Sequence, residues 1–174
     1  FKTYTRADGL ASDQITAICE GAEGELWVGT DGEGVNRLKD GVATHFGREQ
    51  GLGGRHIRSL IFDHRGELWA GAWPGGLFKL ENNRFVPHQE FSGSTNSIAS
   101  LFEDSRHQLW LGRRALNLLT PLTSGVAATP IQLPNSAPSV DVIALAEDAA
   151  GNLWIGTEAS GLFRWRNGEC RRYT

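Results

Sequence analysis

Apolar residues in this chain come in short runs separated by turn-forming residues. Four of the runs are variants of one another: Ile15-Thr-Ala-Ile18, Ile57-Arg-Ser-Leu60, Ile98-Ala-Ser-Leu101 and Val142-Ile-Ala-Leu145. Each places a large apolar residue first and fourth and Ala or Ser third. Runs of this length, bounded by turn residues, read as strands rather than helices. A small residue at a fixed place on an innermost strand suits a crowded centre where sheets converge. Twelve residues after each run begins there is a tryptophan in a Leu-Trp pair, at Trp27, Trp69, Trp110 and Trp154. The turn before it is opened by Asp63, Asp104 and Asp148 and closed by Gly24, Gly66 and Gly151, with His107 at the glycine place in the third copy. Aspartate bonds turn backbone and glycine supplies positive φ, so a tight hairpin is expected, strained at His107. A third strand follows at Gly34–Leu38, Gly76–Leu80 and Gly161–Trp165, and a fourth at Val42–Phe46, Arg84–His88 and Glu169–Thr174. The tryptophans recur at steps of 42, 41 and 44 residues. A strand-rich period of about 40–45 residues is the signature of a β-propeller blade.

The expected fold is therefore all-β, a β-propeller of four-stranded antiparallel blades at 6–48, 49–90, 91–133 and 134–174. The third is degenerate: Arg113-Arg-Ala-Leu116 replaces the Thr-x-x-Gly turn, and Thr120–Thr129 enlarges the outer hairpin. Phe1–Thr5 matches the outermost strand and is expected to be the last strand of a preceding blade, because Glu169–Thr174 already completes the fourth. The segment then belongs to a larger ring, and its end blades expose apolar faces that invite association, including pairing with a second copy.

Composition removes several functions. A net charge of −3 without clustered Lys and Arg argues against nucleic-acid binding through this segment. Arg171-Arg172 is too small a cluster to change that. No apolar run approaches the roughly 18 residues of a membrane span. Cys19 reads as a small buried hydrophobe and Cys170 lies three blades away, so neither a disulfide nor a zinc site is expected from them. Histidines 45, 56, 64, 88 and 107 show no metal-ligand spacing, and no phosphate loop or nucleophile motif is present. Neither cofactor nor metal is expected.

The blocks Glu147-Asp-x-x-Gly-Asn-Leu-Trp-Ile-Gly-Thr157 with Gly161-Leu-Phe-Arg, and Phe1-x-x-Tyr-Thr-x-x-Asp-Gly-Leu10, closely resemble the two-component regulator propeller repeat. The first, second and fourth repeats fit well and the third poorly. The resemblance implies the extracytoplasmic, periplasmic sensory part of a bacterial signalling protein. Its output domain would be a histidine kinase, often a hybrid, or a diguanylate cyclase, and lies outside this chain. It implies no ligand, since the shared residues build the blade.

The four Leu-Trp tryptophans, identically placed, are expected to form structural core between neighbouring blades. Ligand chemistry is expected where the repeats differ, in loops on one face that carry Asp31, Arg55, His56, Trp73, Arg113, Arg114 and Glu158. Trp73, on the loop Ala72-Trp-Pro-Gly75, is the binding anchor of this set. Arginine forks suit carboxylates or sulfates and a Trp face suits a sugar ring, so the expected ligand is an anionic or carbohydrate-derived small molecule. The rival readings are a propeller lyase of the streptogramin type, needing a catalytic histidine with an acidic partner and resting on His56, and a protein-binding scaffold.

Overall fold

The computed structural model describes residues 1–52, 56–93, 97–114, 118–123, 126–127, 129–136 and 140–173. Its strands are β1 (Ile15–Glu20), β2 (Leu26–Thr30), β3 (Val35–Lys39), β4 (Val42–Phe46), β5 (His56–Phe62), β6 (Leu68–Trp73), β7 (Gly75–Glu81), β8 (Arg84–Gly93), β9 (Ile98–Glu103), β10 (Leu109–Arg113), β11 (Leu118–Thr123), β12 (Val126–Ala127), β13 (Ile131–Gln132), β14 (Val142–Glu147), β15 (Leu153–Thr157), β16 (Leu162–Arg166) and β17 (Glu169–Tyr173). They make four antiparallel meanders of the propeller-blade type, β1–β4, β5–β8, β9–β13 and β14–β17. In the third sheet both β12 and β13 pair with β11, which is how the enlarged outer hairpin is accommodated. The chain divides into two compact units, 1–97 and 98–174, each holding two sheets.

The hairpin chemistry follows the sequence pattern. Gly24, Gly66 and Gly151 all sit at φ 75°, and His107 takes the same place at φ 63°. The aspartate does more than cap the turn. Asp63 accepts the backbone N–H groups of Arg65 and Glu67 on one oxygen and the Trp69 indole Nε1–H at 3.0 Å on the other. Asp104 and Asp148 do the same for Trp110 (2.9 Å) and Trp154 (2.8 Å). In the first sheet Gly21 replaces the aspartate, and Glu25 accepts weakly from Trp27 at 3.4 Å. Burial opposes the charge on Asp63, yet the Trp69, Glu67 and Arg65 hydrogen bonds outweigh it and hold its carboxyl below the ordinary 3.8. A depressed carboxylate contributes stability that is complete above its unfolded value and is lost as pH falls through the folded one. Asp63→Asn is thus expected to cost about 1–3 kcal/mol at neutral pH and to flatten the loss of stability below pH 4, which urea unfolding between pH 2 and 7 would register.

In the first unit, the first and second sheets pack through repeat positions. Trp27, Val35 and Phe46 share a buried cluster with Ile57, Leu60, Leu68, Ala70, Phe78 and Phe85. A Cβ on Gly29 would lie 2.7 Å from Ile57 Cγ2, so the glycine of Leu-Trp-x-Gly is the notch in which the next inner strand seats. The Thr16 hydroxyl donates to the Ile57 carbonyl across the same junction. The second unit repeats the device: Ser100 Oγ donates to the Val142 carbonyl at 2.8 Å, and Val142 lies over Gly112. Trp110 is buried there with Val142, Leu153, Ile155 and Phe163, its ring edge-on to Trp165 at 5.0 Å. Glu147 of β14 accepts from the Ser105 N–H and hydroxyl of the β9–β10 turn. Both thiols sit half-buried in these clusters, and burial pushes Cys19 up to about 12 and Cys170 upward as well.

Phe1–Thr5 joins none of the four sheets, and β4 holds the outer edge of the first. Thr5 instead caps a 3-10 turn, Arg6–Asp8, closed by Gly9 at φ 97°. The link Gly47–Leu52 repeats that turn, closed by Gly51 at φ 96°, and both deliver a buried leucine, Leu10 or Leu52. Trp27, Trp69 and Trp110 are buried, and Trp154 is partly buried. Side chains alternate along a strand: Leu153 and Ile155 face the third sheet, and Trp154 takes the opposite face with Leu162 and Tyr173, where no other sheet of its unit lies. The second sheet's outer strand runs to Gly93, five residues past the expected end at His88.

Candidate functional site

Each repeat has two places where sequence is free to vary without harming the blade. One is the residue just before the inner strand: Gln14, His56, Ser97 and Asp141. The other is the second residue after the Leu-Trp-x-Gly glycine: Asp31, Trp73, Arg114 and Glu158. Backbone bonds hold the two side by side within a blade, from Asp31 N–H to the Gln14 carbonyl and from Glu158 N–H to the Asp141 carbonyl, both 3.0 Å. His56 and Trp73 are likewise cross-strand partners.

In the first unit these places converge across two sheets. Asp31, at the end of β2, accepts from His56 Nδ1 of β5 at 2.5 Å. Arg58, two residues along β5, puts Nη2 3.7 Å from the same carboxylate and its guanidinium 5.8 Å from the centre of the Trp73 ring. The His56 and Trp73 rings are 5.4 Å apart, inclined at 50°. Trp73 is 36% exposed, and both members of the His56–Asp31 pair are about one-third open to solvent. The His56 hydrogen bond lowers the Asp31 carboxyl below its ordinary value, and Arg58 adds to the effect. A cis Trp73–Pro74 bond adjoins a mainly apolar cleft of about 350 Å³ lined by Pro74, Phe78 and Pro87. The cleft lies where β8 leaves its ladder after Pro87 and rejoins it at Ser92.

Three of the expected ligand residues, Asp31, His56 and Trp73, are thereby brought together. Arg55 lies outside the described residues. Arg58 was missed, although its signal was legible: it shares a place with Thr16, Ala99 and Ile143 and alone is charged. In the second unit Arg114 Nε pairs with Asp141 at 3.0 Å, so the same two variable places meet between consecutive sheets there too. Arg113 is half-buried, which pushes its guanidinium below its ordinary value, and Glu158 is exposed. Chemically, the first unit's corner offers an aromatic face, the guanidinium of Arg58 and a histidine held by a carboxylate.

Residues 9–32 and 136–159 match the two component regulator propeller family. Solved structures share the fold. The extracellular domain of BT4673 of B. thetaiotaomicron, assigned to a hybrid two component system, superposes with a TM-score of 0.78 at 18% identity, over 94% of this chain and 23% of that one. That of BT3049 from the same organism gives 0.76 at 17% identity, over 93% and 23%. A catalytically inactive histidine-to-alanine variant of virginiamycin B lyase from Staphylococcus aureus, solved with quinupristin, gives 0.75 at 17% identity, over 95% and 57%. The chain thus spans about a quarter of the two extracellular domains. Curated proteins yield no match. Among the described residues no helix is long and apolar enough to cross a membrane.

Proposed function

We propose that this chain is the ligand-sensing, extracytoplasmic and periplasmic part of a bacterial signalling protein, without catalysis of its own, coupled to a histidine kinase or diguanylate cyclase output. Its ligand is a small anionic or carbohydrate-derived molecule taken at the Trp73 corner of the first unit. The observation that carries this reading is the convergence of Asp31, His56, Arg58 and Trp73 from two sheets, all at places where the repeat varies. Blade-building residues are tied up in packing, and loops and strand ends on a rigid scaffold are where binding groups accumulate. The second unit's Arg113, Arg114 and Glu158 remain ligand candidates by the same argument.

Calorimetric titration with acidic and neutral oligosaccharides tests it, comparing wild type with Trp73→Ala and Arg58→Ala. Either substitution is expected to weaken binding at least about tenfold, 1.4 kcal/mol. Trp73→Ala should leave the thermal midpoint nearly unchanged, because a half-exposed ring contributes little to packing. Unaltered affinity in both variants would move the site elsewhere.

The Asp31–His56 pair favours a second reading. A carboxylate on Nδ1 orients the imidazole and leaves Nε2 able to take a proton, as a lyase base must. Incubation with quinupristin, followed by chromatography for its conversion, separates the two. Turnover that disappears in His56→Ala would replace the sensory reading with an enzymatic one.

A further inference from the structure

We infer that the Trp73 corner holds its ligand by an oxyanion set between the Arg58 guanidinium and the Nε2–H of a protonated His56, so that affinity rises as pH falls through the histidine range. The inference rests on the sensory reading above and deepens it, naming the group recognised and the proton that recognition takes up. His56 Nδ1 lies 2.5 Å from the Asp31 carboxylate. The His56 hydrogen bond, with Arg58 adding to it, holds the Asp31 carboxyl below its ordinary value, so it stays ionised in neutral and mildly acid solution. An ionised carboxylate only accepts, so Nδ1 carries the hydrogen. That fixes the tautomer. In the neutral imidazole Nε2 is a bare lone pair, and a proton gained between pH 8 and 5 goes there. Among the described residues nothing is bonded to Nε2, and the His56 side chain is 38% exposed.

The corner's net charge turns on that one proton. Asp31 of β2 and Arg58 of β5 are the charged groups against His56 among the described residues, and β6 presents the uncharged Trp73. With His56 neutral the two charges cancel, and the Nε2 lone pair repels an oxyanion. With His56 protonated the corner carries one net positive charge, and Nε2–H becomes a second donor beside the guanidinium. Arg58 is not used up by Asp31. Its Nη2 stands 3.7 Å from the carboxylate, too far for a hydrogen bond, and among the described residues nothing hydrogen-bonds to its guanidinium. Bonds from guanidinium and imidazolium to an oxyanion are charge-assisted and strong, whereas a neutral sugar stacked on Trp73 gains little from either charge. The second unit lacks the device: Arg114 takes the place of Asp31 and Asp141 that of His56, a pair at 3.0 Å with no histidine in it. A lyase base at Nε2 would need the opposite, unprotonated state, and its turnover would climb with pH.

The test titrates sodium D-glucuronate, whose carboxylate stays ionised throughout, and D-glucose into the chain by calorimetry at pH 5.5 and 7.5 and constant ionic strength. Wild type is expected to bind glucuronate about tenfold more tightly at pH 5.5 and glucose equally at both. His56→Gln is expected to bind glucuronate equally at both, at the level of wild type at pH 7.5. His45→Gln, on the outer strand of the first sheet, should keep the tenfold change. At pH 6.5, titrations of wild type in two buffers of different ionisation enthalpy should show proton uptake with glucuronate and none with glucose, a readout independent of how any variant folds. Absence of glucuronate binding at pH 5.5, or an affinity that is flat or rises with pH, would overturn the inference, as would a pH dependence that survives in His56→Gln. An affinity flat in pH yet tenfold weaker in Trp73→Ala and Arg58→Ala would leave the site standing and remove the proton alone. Binding that neither substitution weakens would move the site and overturn both readings.

Discussion

Trp110→Ala is expected to lower the free energy of unfolding by about 3–5 kcal/mol, the range for truncating a fully buried large aromatic. The ring is 3% exposed and lies between the third and fourth sheets against Val142, Ile155, Phe163 and Trp165. Truncation would open a void at the middle of that junction and strip Asp104 of its indole donor. Both sheets of the unit contribute to the cavity wall, so neither can collapse into it without moving its ladder. The repeat provides its own control. Trp154 occupies the same place in the next blade and makes the same bond to aspartate, but is only partly buried, with its ring against Tyr173. Trp154→Ala should therefore cost less than half as much, since less apolar area is withdrawn from water. Denaturant unfolding of the two variants side by side decides the matter. Equal losses would mean that the indole–aspartate bond, and not inter-sheet packing, carries the tryptophan's contribution.

That contrast also marks what the sequence could show. Everything with a period was visible in it: four strands per repeat, the Leu-Trp pair, the aspartate–glycine hairpins and the strain displaced onto His107. Those features depend on residues near one another in the chain, and each was stated three or four times over. Trp154's exposure was invisible because it depends on what lies against the sheet, which identical motifs cannot distinguish. The indole bond to aspartate spans six residues, and its two halves were seen as turn and core without being joined. Of the candidate site, Asp31, His56 and Trp73 were found by asking where the repeats differ. Arg58 escaped because its strand had been assigned wholly to the core, although a charge at the second place of an innermost strand was itself an anomaly. Arg113, Arg114 and Glu158 came from the same question, and the structure adds a partner for Arg114 in Asp141.

Gly112→Ala is expected to destabilise by about 2–4 kcal/mol, combining the cost of an over-packed methyl with loss of roughly one hydrogen bond. The new Cβ would stand 2.1 Å from Ser100 Oγ, 2.5 Å from the Val142 carbonyl oxygen and 2.7 Å from Val142 Cγ1. Ser100 could swing away, but its hydroxyl would then abandon the Val142 carbonyl across the junction. The carbonyl itself is backbone and moves only if β14 moves. Glycine is needed here for space, because Gly112 is not among the residues with positive φ. Gly151 presents the converse case: its φ of 75° strains any L-residue, while a Cβ there meets nothing nearer than Glu147 Oε1 at 3.8 Å. Gly151→Ala should cost only about 1–2 kcal/mol of left-handed strain. Gly112→Ser separates the two causes further, since its larger side chain should worsen the clash. Serine at 151 should match alanine there. Thermal unfolding of the four variants tests the assignment, and a Gly112→Ala midpoint no lower than that of Gly151→Ala would show that the sheets do not meet at this notch.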